Sequence, residues 1–115
     1  MKPKKRKSYK KRNAKINHRK KKSVNDKNTS VIWLRNKKYK FIRTRALPRD
    51  CWGVCDDPSG AFRKIKVDRK LRGMKELEVI LHEMLHACFW DIDEKVIKEV
   101  GADMSKALWV MGYKK

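Results

Sequence analysis

The chain has 115 residues and a formal charge of +20, enough length for one small domain and a charge far beyond what solubility needs. The charge is lopsided: residues 1–45 carry 20 Lys and Arg against one acid, Asp26, whereas residues 46–115 carry 13 against 12 acids. The apolar runs are too short to cross a bilayer, no apolar stretch follows the basic start, and three cysteines make an odd set for a secreted disulfide framework. A soluble, intracellular protein of the cytoplasm is therefore expected.

Residues 1–28 are rich in Lys, Arg and Asn, with no helical or alternating pattern. Like charges at this density repel, and little apolar surface offsets the cost of ordering, so the segment reads as a disordered cationic arm. Such an arm binds nucleic acid without sequence preference, by releasing counterions. Tyr9 is its only aromatic, so stacking adds little, and it lacks the amphipathic face of a membrane-surface helix.

Residues 29–115 read as the folded domain. Val31–Leu34 and Tyr39–Arg43 are β-branched and aromatic, with Asn36-Lys37-Lys38 between them, which predicts a hairpin. Turn chemistry at Leu47-Pro48 and at Asp56–Gly60 brackets a short strand over Cys51–Cys55. Cys51 and Cys55 have a C-x3-C spacing, but no second pair completes a zinc set, so buried thiols are expected. Phe62–Val67 alternates as a strand with one wet face. Trp33, Trp52, Trp90 and Trp109 read as core residues.

A first helix is expected over Met74–Trp90, started by Gly73 and carrying Glu76 and Glu78 at its positive end. A second is expected over Ile92–Met111, with Asp91 and Glu94 as a capping box and an apolar stripe at Ile97, Val100, Met104, Ala107, Leu108 and Met111. The predicted architecture is α+β: a small antiparallel sheet packed on two antiparallel helices.

The first helix carries His82-Glu83-Met84-Leu85-His86. Residues four apart share a helix face, so His82 and His86 can direct two imidazoles at one Zn2+, with Glu83 beside them as acid/base. The flanks are uncharged, as a dry metal site requires. A catalytic zinc needs a third protein ligand, and the remaining histidine, His18, lies in the arm. The candidate is therefore a carboxylate of the second helix: Glu99 by its level opposite the histidines, with Asp103 and Glu94 as alternatives. Zinc would activate water and polarise an amide carbonyl, and Glu83 would carry the proton to the leaving amine. Tyr113 or an arginine is a candidate donor to the oxyanion.

Leu81–Ala87 resembles the motif helix of the SprT-like and ImmA-like small zinc metallopeptidases, in their compact bacterial and phage versions. The run from Trp52-Gly53-Val54-Cys55-Asp56 through Ile65-Lys66-Val67 to Ala107–Tyr113 is similar to them as well. The resemblance covers about residues 50–115. It implies a minimal zincin fold, His82 and His86 as ligands, and Glu83 as the catalytic residue of a peptide-bond hydrolase. SprT-like enzymes use a third histidine, and its absence here favours a carboxylate. The competing expectation is a non-enzymatic nucleic-acid-binding or phage structural protein with a structural zinc.

Overall fold

The structure, a computed structural model, describes the backbone of Lys7–Ser8 and residues 28–114. Its elements in chain order are β1 (Lys7–Ser8), β2 (Thr29–Leu34), β3 (Lys37–Thr44), β4 (Gly53–Cys55), β5 (Lys64–Asp68), α1 (Gly73–Cys88) and α2 (Glu94–Val110). Of the predicted arm only Lys7–Ser8 and Asn28 are described. The rest, including Tyr9 and His18, lies outside the described residues.

Arg35 and Asn36 both take positive φ, 50° and 65°, and make a two-residue turn whose twist matches the strands it joins. The β2–β3 loop is therefore shorter than the three residues expected, and β3 begins at Lys37. Left-handed backbone is costly for an arginine. Arg35 is held there by its guanidinium, which donates to the carbonyl of Cys88 at 2.9 Å and ties the hairpin to the end of α1.

The fold is α+β, as expected, but the sheet is mixed rather than antiparallel. Its strand order is β1-β4-β5-β3-β2, with β3 and β5 parallel and the other pairs antiparallel. The cause is the eight-residue connection from β3 to β4. It leaves a slot beside β3 that β5 fills on its return from β4, running in the same direction as β3.

Three layers result: the sheet, α1 upon it, and α2 on the far side of α1. Tyr39, Phe41, Cys55, Ile65 and Val67 point from the sheet toward Val79 and Ala87 of α1 to form the core. Trp90 packs on its margin, whereas Trp33 and Trp52 are exposed, contrary to the expectation of four core tryptophans. Arg43 of β3 pairs with Glu76 of α1 at 3.1 Å, fastening the first turn of the helix to the sheet.

The seam between the helices differs from the predicted stripe. The buried positions of α2 are Ile97, Gly101 and Ser105, whereas Val100, Met104 and Met111 are exposed. A Cβ on Gly101 would stand 3.5 Å from the backbone N and Cα of His82, so the seam depends on small side chains that let two backbones come close. The cap differs too. Asp93, not Asp91, is the N-cap, and its carboxylate accepts from the Lys95 amide at 3.2 Å. Glu94 is thereby released from capping. Among the described residues, no helix is long and apolar enough to cross a membrane.

Candidate metal centre

The middle position of α1 makes its chemistry two-sided. A helix between two layers must be largely uncharged around its circumference, yet His82, Glu83 and His86 are among its most buried residues, each at 1% exposure or less. His82 and His86 face α2. Glu83, one residue on and about 100° around the axis, faces the sheet at Gly53.

The imidazole Nε2 atoms of His82 and His86 lie 3.1 Å apart. Glu94, from the first turn of α2, reaches across with Oε2 3.2 Å from His82 Nε2 and Oε1 2.9 Å from His86 Nε2. These three residues are the one His, Cys, Asp and Glu cluster among the described residues whose ligand atoms all lie within 4.8 Å of one another. Tetrahedral zinc–nitrogen bonds of about 2.05 Å set two nitrogens about 3.3 Å apart, close to the separation of the two imidazoles. Two neutral imidazoles and one carboxylate are also the donor set of catalytic zinc sites with one open position. The residues present fit a zinc ion.

Glu94 is half exposed, and it forms the side through which the cluster meets solvent. Partial burial pulls its pKa upward. Hydrogen bonds from His82 and His86, with their positive charge when protonated, outweigh that and bring it to about 2. Glu94 thus stays a carboxylate, the form a metal requires. The ring of Trp90 stands edge-on to that of His86, with centroids 6.4 Å apart. Trp90 also lines a 700 Å³ cavity walled by Arg35, Phe89 and Ile92.

Glu83 is the odd residue of the site. Neither of its carboxylate oxygens has a hydrogen-bond partner among the described residues. Burial, with the nearby Glu94 carboxylate adding to it, drives its pKa well above the usual value. An unpartnered carboxyl in a dry interior is costly. A cation held by the three ligands would offset both influences.

Of the sequence candidates, the structure brings His82, His86 and Glu94 together, while Glu83, next to His82 in the helix, is turned toward β4. Glu99 and Asp103 are exposed and stand outside the cluster. At 100° per residue each lies about 200° from Gly101, on the side of α2 away from α1. The carboxylate that joins His82 and His86 is therefore Glu94, not the expected Glu99. The signal was present as Glu94, Ile97, Gly101 and Ser105, spaced three, four and four. With Ile97 as its one large apolar residue, a seam completed by Gly101 and Ser105 leaves little trace in a hydrophobic pattern. Tyr113 is exposed beyond the far end of α2 from Glu94, so it is no oxyanion donor here. Cys51 and Cys55 are buried free thiols outside the cluster, and burial raises the pKa of Cys55.

Comparison with protein-family models, curated proteins and solved structures returned no match.

Proposed function

We propose that the protein is a zinc-dependent metallopeptidase, with His82, His86 and Glu94 as ligands and Glu83 as general base and acid. The observation that carries this reading is a fully buried, unpartnered Glu83 that adjoins His82 in the helix and feels the Glu94 charge, together with a His82, His86 and Glu94 cluster of zinc-like spacing. A purely structural zinc site needs neither a buried base nor an exposed ligand, so this pairing favours catalysis over the clamp alternative. The bound ion would supply Lewis-acid activation of water and of an amide carbonyl.

Glu83 does the proton work. Its carboxylate accepts a proton as water adds to the carbonyl carbon, and the carbon–nitrogen bond breaks as that proton passes to the departing amine. Desolvation raises the basicity of the carboxylate and makes this exchange easier near neutral pH. The basic segment 1–28 would hold the enzyme near nucleic acid by charge alone.

Metal analysis of the purified chain should find about one zinc per chain, by the ligand rules for catalytic sites. The protein should cleave an unstructured protein such as casein, and Glu83→Gln should keep the zinc and lose the cleavage. Equal cleavage by Glu83→Gln would remove it from the mechanism. Zinc bound equally by His82→Ala would remove the site.

A further inference from the structure

We infer that the outer face of the sheet, across β2, β3 and the start of β5, is a binding surface for single-stranded nucleic acid. The alternation of β3 sends Tyr39 and Phe41 into the core and leaves Lys38 and Lys40 on the opposite face. In β2, Ile32 and Leu34 pack against the core, so Val31 and Trp33 stand out on the same side as those lysines. The register aligns Trp33 with Lys38, Val31 with Lys40, and Lys40 with Lys64. A ring that is 64% exposed therefore adjoins a row of three cations.

None of Lys38, Lys40 and Lys64 has an ion-pair partner among the described residues. The acid on the outer side of β5, Asp68, lies four residues beyond Lys64 and caps the Lys70 amide. The other acids of the domain sit on helices and loops, and of these Asp56 lies at the Lys64 end of the face, its carboxylate accepting from the Lys64 amide at 3.1 Å. Protection of a sheet edge is the ordinary use of lysine on strands, but it puts lysine on the edge strand and keeps apolar side chains away from it. Here the order is reversed. The lysines occupy the inner strands β3 and β5, and the edge strand β2 presents Trp33 and Val31.

Cations spaced along a sheet face beside an exposed aromatic ring match a strand of phosphates with unstacked bases. The occupant is not the chain's own basic arm, whose charge has the same sign. The surface is also separate from the metal cluster, since α1 lies between them, so both can be filled at once. It adds to the arm a contact with base-stacking character, and it stands or falls independently of the peptidase reading because its test reads binding.

The test uses the full chain, with anisotropy of a labelled oligothymidylate measured over a series of salt concentrations. Changing Lys38, Lys40 and Lys64 together to Gln should reduce the slope of log affinity against log salt by about 2, from about 0.7 per phosphate contact. Trp33→Ala should weaken binding roughly 5- to 100-fold, as loss of one stacked base does, and Trp33→Phe should retain most of the affinity. If both affinity and slope are unchanged in the lysine and Trp33→Ala variants, the arm carries all binding and the proposal fails. It fails equally if Trp33→Ala alters only binding to phosphatidylserine vesicles, or only self-association in sedimentation.

Discussion

The contact between Glu83 and Gly53 can be measured directly. A Cβ added at Gly53 would meet Glu83 Oε2 at 2.9 Å, and Glu83 Cγ and Val79 Cγ1 at 3.0 Å each. Relaxed heavy-atom contacts lie near 3.5 Å or beyond, so neighbours on α1 must retreat by about half an ångström within a packed layer. Overpacking of that kind costs about 1–3 kcal/mol. Glu83→Ala removes two of the three obstructing atoms, so in that background Gly53→Ala should cost less than about 1 kcal/mol. The coupling in a double-mutant cycle should therefore be about 1 kcal/mol or more. Urea unfolding of the four metal-free chains at one pH reads it, with the m-value checking two-state behaviour. Zinc affinity should survive Gly53→Ala, since the ligands face α2, whereas cleavage should fall about 100-fold from misplacement of the base. Additive costs across the cycle would refute the packing of Glu83 against β4.

Two further outcomes follow from the site and the core. Glu94→Ala should lower zinc affinity by at least about 100-fold, more than loss of an outer hydrogen-bonding partner does, whereas Glu99→Ala and Asp103→Ala should leave it unchanged in a competitive chelator titration. The Tyr39 hydroxyl is buried with no partner among the described residues, so Tyr39→Phe should be neutral or stabilising at pH 7, by up to about 1 kcal/mol. Burial holds the Tyr39 phenol up at about 12, against 10 for the ordinary group. Ionisation of this group therefore leaves stability untouched below pH 10 and lowers it as pH rises toward 12, because the unfolded chain loses the proton first. Tyr39→Phe should remove that part of the alkaline slope in pH-dependent urea melts.

The motif helix, the hairpin and the α+β class were legible because each rests on local periodicity. His82, Glu83 and His86 needed only the pitch of one helix. Sheet order was not legible, because whether β5 pairs with one neighbour or slips between two depends on a connection that carries no pairing signal. The carboxylate of the cluster was hidden for a related reason. Glu94 has the spacing of a helix cap and periodicity points to large apolar side chains as the seam, but a helix pressed against another at Gly101 makes its contact with backbone. Trp33 shows the same limit: composition marks tryptophan as core, and only the strand's orientation turns it outward.

The position of Glu94 carries a consequence for the chain's last fifth. α2 rests principally on α1, along the narrow line of Ile97, Gly101 and Ser105, and leaves Val100, Met104 and Met111 to water. Coordination through Glu94 would rivet the near end of that helix to its neighbour, so metal supply would govern how firmly the C-terminal segment is folded. Starved of the ion, the protein would lose its grip there first, and a scissor-like protease would find its opening in the turn between the two helices.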